Sequence, residues 1–137
     1  MKFLPLLLLL FACFTGHSQE TTYILTEVDT APVIGECPEE DLKACFENAL
    51  KIHITTTMNI SKLDPGIDTK AYAQFEISAK GKVENIKVRS HDEKLTKETI
   101  RILKKLKVKT PALKNGTAVT MKHTVPVTFN LIMFNKG

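Results

Sequence analysis

From Ala71 to Ala79 every second residue is apolar: Ala71, Ala73, Phe75, Ile77 and Ala79 alternate with Tyr72, Gln74, Glu76 and Ser78. Successive side chains of an extended chain point to opposite faces, so this stretch reads as a strand with one face buried. Lys80-Gly81-Lys82 follows as a tight hairpin turn, with Gly81 supplying the positive φ that such loops need. Val83 to Arg89 returns as a second strand, Ile86 and Val88 inward and Lys87 and Arg89 outward. The step from Val83 to Ile86 breaks the two-residue parity, which predicts a bulge. A third alternation closes the chain: Val125, Val127, Phe129, Leu131 and Met133 against Pro126, Thr128 and Asn130. Pro126 cannot donate to a ladder, so this last strand has a partly unpaired edge.

Gln19 to Glu36 is a lead-in with little periodicity, in which Tyr23-Ile24-Leu25 is compatible with a short strand. Two helical patterns separate the alternating strands from the rest. Between Pro38 and Ile54 the residues Leu42, Cys45, Phe46, Ala49, Leu50 and His53 recur at three- and four-residue steps. Pro38 suits a first helical turn, and Glu39, Glu40 and Asp41 put negative charge at the N-terminal end of the dipole. The β-branched run Ile54 to Thr57 weakens the helix, and Asp64-Pro65-Gly66 is a turn. Ser90-His91-Asp92-Glu93 resembles a capping box and opens a second helix, whose inner face is Leu95, Thr99, Ile102, Leu103 and Leu106. Thr110-Pro111 stops it, and Asn115-Gly116 is a turn. The order α-β-β-α-β predicts an α+β fold: a three-stranded antiparallel sheet with two helices packed on one face.

The N-terminus carries a different message. Met1-Lys2 is a short basic start, Phe3 to Phe14 is almost wholly apolar, and Gly16-His17-Ser18 offers a cut before Gln19. That is the layout of a secretory signal peptide. The run of about 12 residues falls well short of the roughly 20 needed to span a bilayer. Leu10-Phe11-Ala12-Cys13 also resembles a lipoprotein box, but the bulky Phe11 departs from it, and Cys13 is read as one more apolar residue. The expected division is 1–18 signal peptide, 19–37 lead-in and 38–137 folded domain, with a periplasmic or secreted location after cleavage. Loss of Lys2 with the leader lowers the formal charge from +4 to about +3. The densest basic stretch, Arg101 to Lys109, has no interleaved aromatics, so no nucleic-acid partner is expected.

Cys37 and Cys45 remain in the exported chain, where an oxidising compartment favours a disulfide. Eight residues apart in one helix, their Cα atoms would be about 12 Å from each other, whereas a disulfide needs less than about 7 Å. Cys37 must therefore lie in the chain leading into the helix and fold back over it. No other ligands sit at zinc-like spacing with this pair.

Four segments carry a resemblance. They are Ala31-Pro32-Val33 through Cys37 with Lys43-Ala44-Cys45-Phe46 and Lys51-Ile52-His53-Ile54; Ala73-Gln74-Phe75-Glu76-Ile77 with Lys80-Gly81-Lys82-Val83 and Ile86-Lys87-Val88; Lys109-Thr110-Pro111-Ala112 with Asn115-Gly116 and Val119; and Val125-Pro126-Val127-Thr128-Phe129. In this order they resemble the TonB C-terminal domain of Bacteroidetes-type proteins, over roughly Ala31 to Ile132. Departures accompany the match. The family's Tyr-Pro pair is missing from the stretch Met58 to Pro65, its Gly-rich strand lead-in is reduced to Gly66, and its Trp is absent. The usual membrane anchor and Pro-rich linker are not seen either.

The resemblance implies a non-enzymatic exported module, without cofactor or metal, that binds an extended peptide by strand addition. The implied partner is an outer-membrane TonB-dependent transporter or another exported protein, with homodimerisation left open. The docking edge is expected on the last strand, about Met121 to Asn130, flanked by Thr124, Pro126, Thr128 and Asn130. The competing readings are a membrane-anchored energy transducer, if the N-terminal segment is kept, and a structural or inhibitory exported domain. A catalytic or metal role would need His53, His91 and His123 to converge, and nothing in their spacing brings them together.

Overall fold

The computed structural model describes residues 21–38, 40–64 and 68–130. The leader 1–18 with Cys13, and Glu39, Pro65, Gly66, Leu131 and Met133, lie outside the described residues. The elements are β1 (Thr22–Ile24), α1 (Leu42–Thr57), a 3-10 turn (Ile60–Lys62), β2 (Asp68–Ile77), β3 (Val83–Arg89), α2 (Glu93–Lys104), β4 (Ala112–Lys114) and β5 (Thr117–Asn130). β5 pairs antiparallel with β2 along the whole of β2, from Asp68↔Asn130 to Ile77↔Met121. β3 pairs with β2 on the other side, giving the order β1-β5-β2-β3, with β4 also on β5.

The expected antiparallel sheet of three strands is corrected by this arrangement. The sheet has five strands and is mixed, because β1 runs parallel to β5 at Thr120 to Lys122 and β4 folds back on β5 through the Asn115-Gly116 turn. Each added strand is three residues long: β1 overlaps the short strand read at Tyr23-Ile24-Leu25, whereas β4 is too short for alternation to show in the sequence. The lead-in segment reaches the same core: Val28 and Ala31 are buried, Asp29 and Thr30 N–H groups donate to Leu113 O, and the Asp29 carboxylate accepts from Asn115 N–H at 2.7 Å.

The bulge falls where the parity break put it. Between Gln74↔Lys87 and Glu76↔Glu84 the register shifts, and Asn85 takes φ 51°. Asn tolerates the left-handed region better than most residues, and its Nδ2 donates to Glu76 Oε2 at 2.7 Å.

Both helices cover the face that carries Ala71, Ala73, Phe75 and Ile77, all fully buried. The two small alanines leave room for large helix residues: Phe46, Leu50 and Ile54 from α1, and Leu95, Ile102 and Leu103 from α2. α2 opens at Asp92, whose carboxylate accepts from Leu95 N–H, close to the expected capping box. α1 starts later than Pro38 suggests. Its N-cap is Asp41, whose side chain accepts from the N–H groups of Lys43 and Ala44, because a carboxylate at that position satisfies otherwise orphaned donors.

The helix also runs on through the β-branched residues to Thr57, where tertiary contacts override the weak propensity. Glu98 of α2, 2% exposed, supplies the main one. Its carboxylate accepts from Asn59 N–H at 2.6 Å and from the Arg101 guanidinium, which also donates to Thr57 O at 2.8 Å. Burial pushes the Glu98 carboxyl up, but the hydrogen bonds from Arg101 and Asn59 and the Arg101 charge outweigh it and leave the pKa below its ordinary value. This clamp ties the end of α1 to α2. Truncation of Glu98 would leave Asn59 N–H unpaired and Arg101 without its counter-ion. The change Glu98→Ala is expected to lower unfolding stability by about 1–3 kcal/mol in urea titrations at neutral pH, chiefly from the lost hydrogen bonds, because Arg101 and Asn59 can still reach water.

Candidate functional site

The two long edges of this sheet end differently. β3 forms one outer edge, and it is blunted by the Asn85 bulge and by exposed Glu84, Lys87 and Arg89, devices that discourage further pairing. The other edge is β5, which is covered over only part of its length. β4 takes Thr117 to Val119 and β1 takes Thr120 to Lys122. β1 then turns away: Glu27 and Val28 N–H groups donate to Ile24 O, and Ile24 N–H donates to Glu27 Oε1. From His123 onward no strand among the described residues pairs with β5 on the side away from β2.

That open stretch faces α1 across a groove of about 740 Å³. Its strand side is His123 to Thr128, about 20 Å of extended chain. Its helix side includes Leu50 and Ile54, with Ala44, Glu47, Asn48, Lys51 and Thr55 nearer the rim. The wall is therefore mainly apolar, with one acidic and one basic side chain from α1. Pro126 pairs with Tyr72 but has no N–H to give β2, so its nitrogen faces the open side. The two-residue period then turns the backbone groups of Thr124 and Thr128 the same way.

The residues expected at the docking edge fall as follows. Thr124, Pro126 and Thr128 lie side by side on β5, exposed, and all three line the groove. Asn130 ends β5 and pairs with Asp68, but its side chain lies outside the described residues. Met121, the first residue of the expected edge, is buried beside β1. Cys37 and Cys45 form a disulfide with Cα atoms 5.7 Å apart, Cys37 in the approach to α1 and Cys45 in the helix. Sequence reasoning did not find the helix side of the groove. Lys51 and Thr55 lie outside the apolar stripe of the helix, and only the tertiary arrangement sets them opposite an open strand.

The histidines stand apart. His53 Nε2 donates to Ile102 O at 2.8 Å, which leaves Nδ1 to accept from the Thr57 hydroxyl at 3.4 Å. His91 is exposed ahead of α2. His123 lies at one end of the groove, its ring edge-on to Phe46 at 5.1 Å and to Phe75 at 6.0 Å between centroids. Among the described residues no group of three or more His, Cys, Asp or Glu side chains could hold a metal ion.

An open, groove-lined strand edge on this α+β frame is the arrangement that the comparisons with known proteins bear on. Residues 64–131 match the family model described as the Gram-negative bacterial TonB protein C-terminal. Over this segment the chain belongs to the TonB C-terminal family. The match covers β2, β3, α2, β4 and β5, so the open edge lies inside the TonB-like segment and α1 lies ahead of it. Comparison with curated proteins and with solved structures returned no significant match. Among the described residues no helix is long and apolar enough to cross a membrane.

His123 gives the site a measurable signature. Desolvation lowers its pKa below the ordinary 6.5, only partly opposed by the Glu47 carboxylate. The folded domain therefore resists binding a proton that the unfolded chain accepts below about pH 6.5, so stability rises with pH across that range and falls on acidification. The melting temperature is expected to drop between about pH 7 and pH 5, and the drop should be smaller in His123→Gln, as followed by circular dichroism.

Proposed function

We propose that this TonB-like domain is a binding module, not a catalyst, and that its groove takes an extended peptide from an outer-membrane TonB-dependent transporter or another exported protein. The observation that carries this reading is the stretch of β5 from His123 to Thr128, open on its outer side among the described residues and set opposite α1. An added strand satisfies its backbone groups through the outward N–H and C=O of β5, which supply affinity independent of sequence. Selectivity comes from alternation. Side chains of the added strand turned to the helix side meet Leu50, Ile54, Val125 and Val127, while those turned the other way lie beside Thr124, Pro126 and Thr128. A suitable peptide is therefore apolar at every second residue.

Family membership supports the choice of partner and a location in the cell envelope. A homodimer joined edge to edge would use the same stretch of β5 and compete with peptide.

Thr128→Pro tests the reading. Thr128 N–H faces the open side, so its removal spares the β2 ladder and deletes one docking donor. Fluorescence titration with transporter-derived extended peptides is expected to show about tenfold weaker binding for the variant, the worth of one well-made hydrogen bond. Unchanged affinity in a variant with a native circular dichroism spectrum would rule out this edge as the docking strand.

A further inference from the structure

The helix wall of the groove is fastened at its two ends by different chemistry. Its C-terminal end is held by the Glu98–Arg101 clamp on Asn59 and Thr57. Its N-terminal end carries the Cys37–Cys45 bridge. Cys45 sits between Ala44, which lines the groove, and Phe46, which is buried against the His123 ring. Any displacement at Cys45 therefore acts on the helix side at Ala44 and on the strand side through Phe46 and His123. The other half of the bridge is anchored to the sheet side of the molecule. Four residues before Cys37, Val33 N–H donates to Thr110 O at 3.0 Å, and Lys109 N–H donates to Val33 O at 2.7 Å. The disulfide thus connects the first turns of α1 to a chain segment fixed beside β4.

We propose that the Cys37–Cys45 disulfide is a redox-operated positioning element for the groove. Oxidised, it holds the first turns of α1 at the separation from β5 that admits an extended peptide; reduced, it releases that end of the wall and peptide affinity falls. The claim rests on the peptide-binding reading above. Both cysteines are only half-buried, so a dithiol reductant can reach the bridge. A reductant thiolate attacks one sulfur, the Cys–Cys bond breaks, and the other cysteine leaves as a thiolate that takes up a proton. The second reductant thiol then displaces the mixed disulfide. Two electrons pass to the protein, which gains two thiols, and the reductant ends as a cyclic disulfide.

The effect should be local. Phe75, Ile77, Ala73 and Met121 are fully buried on strands remote from the bridge in sequence, and the clamp at the far end of α1 contains no sulfur. Elements held by fewer contacts open first, below the free energy of global unfolding.

The test uses the purified protein in three forms: oxidised, reduced with dithiothreitol, and as the Cys37→Ser/Cys45→Ser double variant. Each is titrated with a fluorescein-labelled hexapeptide of alternating threonine and valine, and amide hydrogen exchange is followed in parallel. Expected are about tenfold weaker binding after reduction, the same weak binding in the double variant with or without dithiothreitol, and recovery on reoxidation. Exchange should quicken across residues 44–51 while Ala73 and Val127 stay protected. Equal affinity of the oxidised and reduced forms overturns the proposal, and so does loss of protection at Ala73 and Val127, which would make the bridge a requirement for folding. If the oxidised protein binds no extended peptide, the peptide reading itself fails. The exchange at residues 44–51 then decides the positioning role alone, quickened exchange supporting it and unchanged exchange overturning it.

Discussion

The ten-residue antiparallel pairing of β2 with β5 is the constraint from which the rest of the molecule follows. It brings together two segments about fifty residues apart and sets Ala71, Ala73, Phe75 and Ile77 opposite Val127, Val125, His123 and Met121. Both rows face the helices, so this register defines the buried face. A slip by one residue would carry every one of these side chains to the solvent side. The short strands are secondary to it. Among the described strands β1 and β4 each pair with β5 and β3 pairs with β2, while β4 takes a further bridge from Thr30 to Leu113.

Because β5 is longer than the described strands that cover its outer side, no described strand pairs with part of its edge. An open edge is ordinarily a liability. At β3 it is met by a bulge and charges, whereas at β5 the open part lies under α1, with Pro126 removing one donor. The same geometry that shields β5 from indiscriminate pairing shapes a slot for one extended chain. α1 is held in that position by the Glu98–Arg101 clamp at one end, and by the disulfide and the packing of Phe46 on His123 at the other.

Much of this was legible in residue order. The alternation at Ala71 to Ile77 and at Val125 to Val127, the parity break that became the Asn85 bulge, the inner stripe of α2 and the need for Cys37 to precede the helix are local consequences of fixed backbone periods. The parts that were misread or missed lack such a period. β4 is three residues long, and the short strand read at Tyr23-Ile24-Leu25 carried no sign that it would join the sheet parallel to β5. Glu98 sits among charged helix residues and resembles a solvent side chain, until its burial against Asn59 and Arg101 is seen. The start of α1 depended on which of several adjacent carboxylates capped it, and Asp41 won by reaching two N–H groups.

The sequence by itself determined the element types, the apolar face of each long strand and helix, the bulge, the cysteine pair and a family resemblance over the strand segments. These are properties of nearest neighbours along the chain, and steric periods of two and about 3.6 residues express them directly. Only the tertiary structure decided that β1 would join parallel to β5, that its pairing would reach only to Lys122, and that α1 would stand across the strand residues beyond. Those outcomes depend on where one element ends relative to another far away in sequence, and no local period carries that information.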